Sequence, residues 1–517
     1  MKKINSNGKQ MSINVIASII SFSVTLGISF FLTPHLVKTL GTEAFGFIGL
    51  ANNFVQYATV VTAALNSMSG RFISIAYHRG DKDKASRLFN SVLVADLVIA
   101  GVLLVIATVT VLFIDVLLDI PPHLVTSVKI TFALTFLTFI ISVITAIFTT
   151  ATYVKNMLFI NSIRDIISNL LKVSIIVGLF VFLPAKLYYI SCATLASGIF
   201  LLIANVNVKR KILPDVEIDI KKFEFGLVKI LVAAGVWMSL AQLSTVLLSG
   251  LDLLICNLTI GAAMMGILSI AKTVPMSFAS LIALLGNVFA PHYTILYAKN
   301  DITGLVKEVK FTSKILSFIM TVPIAGFIVF GLDFYKLWQP TKTGDELIMI
   351  QIISLLTCLQ YLFTAHTQCL TMLNSVCNKM KLPVFVALGV GVLSTAIVLV
   401  LVNVFSLGNY AVYAIAGVSS LLMTLRSIVF IPLYSAHLLK QNKFTFYPSI
   451  FRGWLTFGVT FGLFMLIHMF VHINSWISLI LVCAAAGIVG YAISLFVLFN
   501  KDEINKLFLK IKNKIKK

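Results

Sequence analysis

Six side chains able to form ion pairs or hydrogen bonds recur on one helical face of an otherwise apolar stretch: Asn161, Arg164, Asp165, Ser168, Asn169 and Lys172. At 100° per residue they fall within a sector of about 140°. The rest of that half-helix carries Ile163, Ile166, Ile167, Leu170 and Val173, a surface suited to packing or lipid. The chemistry on offer is recognition of charge and of hydroxyl or amide groups. A charge at bilayer mid-depth costs at least about 2.5 kcal/mol on insertion scales, so Arg164 and Lys172 are expected to face protein or water. Two readings stand side by side: a cavity lining, or an internal ion network. The network requires Asp165 and Lys172 to reach toward each other, because seven residues separate their Cα atoms by about 10 Å along the axis.

Three further stretches carry polar faces. Asn52, Asn53, Gln56, Thr59, Asn66 and Ser67 share one; Ser239, Gln242, Thr245, Ser249 and Asp252 recur at steps of three and four; Ser269, Lys272, Thr273, Ser280 and Asn287 do the same. Lys272 faces either a cavity or, by snorkelling, an interface. Asn52, Asn53, Gln56, Asn169 and Gln242 are candidate hydrogen-bonding residues of a cavity, with Arg164, Lys172 and Lys272 its candidate cations. Asp96, Asp165 and Asp252 are candidates for carrying a coupling proton or sodium ion, and Arg426 is expected to snorkel. His35, His123, His366, His468 and His472 have no metal spacing, and the six cysteines have no CxxC or His-rich context. There is no P-loop and no catalytic constellation, so neither a cofactor nor an enzymatic activity is expected.

The elements that position these residues follow from composition. Of 517 residues 59% are hydrophobic and 11% charged, with a mean hydropathy of +1.01, against about 25% charged in a soluble domain. Apolar stretches long enough to cross about 30 Å of hydrocarbon lie near 11–33, 45–69, 88–114, 124–150, 157–182, 186–207, 229–257, 263–289, 311–331, 346–371, 382–404, 410–435, 449–471 and 476–499. The first is too long for a signal-peptide core and lacks a small-residue cleavage site, and reads as an uncleaved helix. Most of the 40 Lys and Arg fall at the termini and in alternate loops, which places both termini in the cytoplasm. The other loops hold only Lys38, Lys129, Lys186, Lys336 and Lys342. The net charge of +21 is therefore topology, and no nucleic-acid partner is expected.

A gapless internal repeat organises the spans. Leu40-Gly41 answers Ile260-Gly261, Gly46 answers Gly266, Leu65 answers Leu285, Tyr77 answers Tyr297 and Asp81 answers Asp301. The offset covers six spans, an even number, so equivalent helices run the same way. The repeat also aligns Asn52 with Lys272, and a cavity between the halves is the expected place for function. The expected architecture is all-α: six-helix lobes over 1–226 and 227–448, then two extra helices with a basic tail over 449–517. Gly458 and Gly462 permit close helix approach. In the tail, Ile504, Leu507, Phe508 and Ile511 share a face amid lysines; it reads as a surface helix on anionic lipid or as a solvated end.

Pro34 with Leu40-Gly41, Ala44-Phe45-Gly46, Arg71, Gly80-Asp81 and Lys84-Ala85, then Asp252 with Ile260-Gly261 and Gly266, resemble the Wzx-like polysaccharide flippases of the multidrug/oligosaccharidyl-lipid/polysaccharide exporter (MOP) superfamily. The fourteen-span layout extends the likeness over nearly the whole chain. His292 lies one place beyond Pro291, the equivalent of Arg71, and Arg71 reads as a cytoplasmic helix-end residue. The resemblance implies MATE-like lobes in the cytoplasmic membrane of a bacterium. It also implies alternating-access transport of a polyprenyl-pyrophosphate-linked oligosaccharide for cell-surface polysaccharide such as O-antigen. Membrane lipids and other polysaccharide-assembly membrane proteins would be its partners. On that reading Arg164, Lys172 and Lys272 hold the pyrophosphate or an acidic sugar. An ion-coupled multidrug antiporter of the same superfamily and a membrane-embedded glycan polymerase are the competing expectations.

Overall fold

Apolar helix-forming runs broken by short polar turns give an all-helical chain. The computed structural model describes residues 2–405 and 407–504, and no strand occurs among them. In chain order the helices are α1 (Lys2–Leu40), α2 (Thr42–His78), α3 (Lys82–Leu112), the single turn α4 (Ile114–Leu117), α5 (Val125–Val154), α6 (Phe159–Phe182) and α7 (Tyr188–Ile212). Then come α8 (Phe225–Thr245), α9 (Asp252–Thr259), α10 (Ala262–Ala298), α11 (Ile302–Trp338), α12 (Gly344–Val376) and α13 (Lys381–Val404). The last are α14 (Ala411–Leu425), α15 (Ile431–Leu438), α16 (Tyr447–Phe470) and α17 (Trp476–Leu498). A π-helical turn, Val246–Gly250, joins α8 to α9, and another, Arg426–Phe430, joins α14 to α15.

Among the described residues thirteen helical segments are long and apolar enough to cross a membrane. Helix α2 has the length, at 37 residues, but its amide-bearing face keeps it out of that set. The chain is a multi-pass membrane protein, and each of the fourteen expected stretches is occupied by helix.

The repeat is visible in local geometry. Helices α2 and α10 have the same length, 37 residues, and begin and end at equivalent positions. Each follows a glycine in the positive-φ region, Gly41 at 90° and Gly261 at 119°, where any side chain would be strained. Each is followed by an aspartate N-cap: Asp81 accepts from the Lys84 amide at 2.9 Å, and Asp301 from the Gly304 amide at 2.8 Å.

Two compact units form. One holds the described residues up to Ser269 together with Ala387–Thr395; the other holds Ile270–Val386 and the described residues from Ala396 on. The division falls within α10, and α8 packs on α2 inside the first unit. Gly235 lies against the backbone of Ala64, and Ser239 Oγ donates to the Val60 carbonyl at 2.6 Å.

The charged segment between α7 and α8 is docked on α3. Asn90 donates to the Glu217 carbonyl at 2.8 Å and accepts from the Asp219 amide at 2.9 Å. Ser86 accepts from the Glu217 amide at 3.2 Å, and Ser91 from the Glu224 amide at 2.9 Å. Leu213 and Val216 join the apolar core of Phe89, Val92, Ile147 and Leu231. Lys209 donates to the Val216 carbonyl with its ammonium 4.9 Å over the Phe89 ring.

In the second unit, Tyr293, Val309, Met320, Leu373, Phe446 and Ile450 belong to one core. Lys314, buried in α11, contacts both Glu503 carboxylate oxygens at 2.8 Å. The close approaches to α16 and α17 occur at Gly453 against His366 and at Gly490 against Phe464. At Gly458 and Gly462 an added Cβ would meet nothing within 4 Å, so these glycines mediate no close helix approach among the described residues. Of the expected tail face only Ile504 is described; Leu507, Phe508 and Ile511 lie outside the described residues.

A polar cleft in the first unit

The face of α6 carrying Asn161, Arg164, Asp165, Ser168, Asn169 and Lys172 looks into a cleft of about 440 Å³ that α5 and α7 complete. From α5 come Thr138, Ser142, Thr145 and Thr149; from α7 come Thr194, Ser197 and Asn205. Helices α5 and α7 approach closely because Gly198 has no side chain: a Cβ there would stand 3.3 Å from Thr138 Cγ2. The opposite face of α6 presents Ile163, Ile167 and Leu170, all exposed, as a membrane-facing surface requires.

Arg164 is held rather than free. Only 6% exposed, it donates through Nε to the Ile160 carbonyl at 3.2 Å, through Nη1 to Asn205 Oδ1 at 2.5 Å and through Nη2 to Asn161 Oδ1. Asn161 Oδ1 also accepts from Thr152 Oγ1 at 2.9 Å, and Asn205 donates onward to the Leu201 carbonyl at 2.7 Å. These hydrogen-bond partners are neutral and fix the geometry of the guanidinium, while the Asp165 carboxylate next to it in sequence supplies an opposite charge. Arg164 thus lines the cleft with its donors committed to two amides and a carbonyl.

Lys172 differs. Half-buried on the same face, it makes no hydrogen bond or ion pair among the described residues. Asp165 is exposed and likewise unpaired, so the Asp165–Lys172 network does not form. Asn169 reaches sideways to Thr25 Oγ1 of α1 at 3.0 Å.

The other expected site residues lie elsewhere. Lys272, 5% exposed in α10, belongs to the second unit, and neither it nor Asn52, Asn53, Gln56 or Gln242 lines this cleft. The Asn53 amide donates to the Gly250 carbonyl at 2.8 Å, beside Tyr57 Oη at 2.7 Å. Thr395 Oγ1 donates to the Leu247 carbonyl of the same π-helical turn at 3.1 Å. Wider helical turns release carbonyls from the backbone ladder, and here side chains take them up. The side chains of Asn52, Gln56 and Gln242 make no hydrogen bond among the described residues.

Asp252 is buried in the first turn of α9, after that π-helical turn. Asp96 is fully buried in α3, with the Asn66 side chain beside its carboxylate. Arg426 reaches Met423 Sδ at 3.9 Å and leaves a buried Nε unpartnered, which is not a snorkelling arrangement. Among the described residues no cluster of three or more His, Cys, Asp or Glu could hold a metal.

The wall formed by α5 and α7 was not anticipated. Its signal lies in the spacing of Thr138, Ser142, Thr145 and Thr149, which steps by four, three and four along one face of a strongly apolar span.

No family model matches the chain. Over 511 residues it is 29% identical to the uncharacterized membrane protein EpsK of Bacillus subtilis (strain 168), covering 97% of this chain and 98% of that protein. An inward-facing multidrug resistance MATE transporter of the MOP superfamily superposes with a TM-score of 0.68 at 14% identity, covering 83% of this chain and 99% of its own. The lipid II flippase MurJ in an inward closed conformation superposes with a TM-score of 0.64 at 14% identity, covering 93% and 97%. The MOP superfamily transporter from Pyrococcus furiosus Vc1 (DSM3638) gives 0.62 at 15% identity, covering 84% and 97%. The fold is that of MOP superfamily transporters.

Proposed function

We propose that this chain is a flippase that carries a polyprenyl-pyrophosphate-linked oligosaccharide across the bacterial cytoplasmic membrane by alternating access, with both termini in the cytoplasm. A glycan headgroup cannot cross hydrocarbon unaided, because polar groups without hydrogen bonds cost several kcal/mol, about 2–7 each, in an apolar medium. A helix-lined wet cleft removes that penalty. One observation carries the reading: Lys172, an ammonium without a partner among the described residues, stands in a polar cleft within membrane-spanning helices. A charge so placed is costly to keep and suits an anionic cargo. The MurJ likeness adds support, taking in 93% of the chain against 83% for the MATE transporter, a difference about as large as α16 and α17, of 24 and 23 residues, together.

The test is a lipid-linked oligosaccharide in vesicles reconstituted with the protein, its outward arrival read by a membrane-impermeant glycosidase. Lys172→Ala should reduce translocation at least tenfold and Lys172→Arg should restore part of it. Equal rates for wild type and Lys172→Ala would reject the assignment. The second reading, a multidrug antiporter, draws on the exposed, unpaired Asp165 in the same cleft and on the 0.68 superposition. Efflux of a cationic dye lost in Asp165→Asn but kept in Lys172→Ala would favour it.

A further inference from the structure

We infer that the α5–α6–α7 cleft is a subsite for the sugars of the cargo and not for its pyrophosphate, with the wall hydroxyls acting as acceptors for sugar O–H groups; this rests on the flippase reading above. A serine or threonine hydroxyl has one proton to donate and two lone pairs. In this wall each proton is committed to a helix carbonyl. Thr138 donates to Leu134 at 2.8 Å, Ser142 to Phe139 at 2.7 Å, Thr145 to Ile141 at 2.7 Å and Thr149 to Ala146 at 2.7 Å. From α7, Thr194 donates to Ile190 and Ser197 to Thr194, both at 2.8 Å. The oxygens that line the cleft thus present lone pairs and no free proton.

Such a wall complements a ligand rich in donors. Pyrophosphate offers only acceptor oxygens and two or more negative charges. It is ordinarily met by bidentate arginines or by clustered backbone N–H groups. Here the guanidinium of Arg164 is engaged with Asn161, Asn205 and the Ile160 carbonyl. One ammonium, Lys172, is left without a partner among the described residues, and the Asp165 carboxylate adds a repulsive charge. A sugar supplies several O–H donors to the hydroxyl oxygens, and a single carboxylate on it pairs with Lys172. The chemical class selected is therefore an oligosaccharide bearing isolated acidic groups.

The experiment uses the full chain in lipid nanodiscs, with tri-galacturonate, maltotriose and inorganic pyrophosphate as probes. Tri-galacturonate should bind more tightly than maltotriose, and pyrophosphate should not displace it. Thr138→Val, Thr145→Val and Thr149→Val keep side-chain shape while removing an acceptor, and each should raise the Kd for tri-galacturonate about fivefold. Lys172→Met should abolish the preference for the acidic probe, and melting temperatures identify any variant that fails to fold. Displacement by pyrophosphate, absence of tri-galacturonate binding, or valine variants that bind like wild type would each overturn the subsite. Loss of translocation in Lys172→Ala alongside unaffected valine variants would remove this inference and leave the flippase reading. The expected binding pattern without translocation by wild type would do the reverse.

Discussion

Gly46 and Gly266, equivalent positions of the internal repeat, lie against each other: a Cβ on Gly46 would stand 2.9 Å from both the Cα and the amide nitrogen of Gly266. Met265 Cε, also at 2.9 Å, could move, but the two Gly266 atoms are backbone and cannot step aside. In a membrane, association of helices depends on such close packing rather than on burial from water. Gly46→Val should therefore destabilise the protein by about 1–3 kcal/mol, the usual cost of overpacking. Loss of the monodisperse peak on heating, compared with a valine at the open Gly101, reads the effect.

Arg164 and Lys172 share a helix face yet should respond oppositely to substitution. Asn205→Leu removes an acceptor from a buried guanidinium and should lower stability by about 1–3 kcal/mol. Arg164→Lys should not recover it, since an ammonium cannot reach Asn161, Asn205 and the Ile160 carbonyl with one planar fork. Lys172→Ala, which breaks no bond among the described residues, should shift stability by less than about 0.5 kcal/mol. Thermal unfolding of the three variants in one detergent decides the matter.

The Gly250 carbonyl has two donors from α2, Asn53 and Tyr57. Removing either one leaves the oxygen satisfied, so Asn53→Leu and Tyr57→Phe should each be mild. The double variant orphans a buried carbonyl and should cost about 1–3 kcal/mol more than the sum of the singles. Additive singles in a double-mutant cycle would show that the two donors act separately.

The docked segment between α7 and α8 has a defined pH response. Asp215 accepts from Lys82 at 3.2 Å and Tyr77 Oη at 3.1 Å, and these contacts, Lys82 first, hold its carboxyl below the usual carboxylate range. A depressed folded pKa stabilises at every pH above the unfolded value of about 3.9 and is lost as pH falls through the folded one. Protection of the Asp219 and Glu224 amides, corrected for intrinsic exchange, should thus be equal at pH 8 and pH 5.5. Asp215→Asn should weaken it at both.

Much of this was legible from residues alone. Apolar run length marks the helices, Gly41 and Gly261 mark their breaks, and the step of three and four from Asn161 to Lys172 marks the face that lines the cleft. What that face meets was not legible. One partner of Arg164, Asn205, lies 41 residues away on α7, and no spacing rule joins them. The hydroxyls of α5 are hidden in a span whose hydropathy they barely lower. Asn53 carries the same amide as Asn52, yet only the π-helical turn at Gly250 distinguishes the bonded one from the open one. The cleft draws on three neighbouring helices of one repeat, which supply both its charges and its hydroxyls.

The contact between Lys314 and Glu503 makes the stretch just after α17 part of the helical bundle rather than an appendage to it. Asn500 adds to this by accepting from Arg452 Nη1 at 2.9 Å, while Phe499 sits against Phe311 and Phe318. Shortening the protein to end at Asn500 would strand a buried ammonium, whereas ending it after Ile504 would not. The two cuts differ by four residues in length and by an entire counter-charge in consequence.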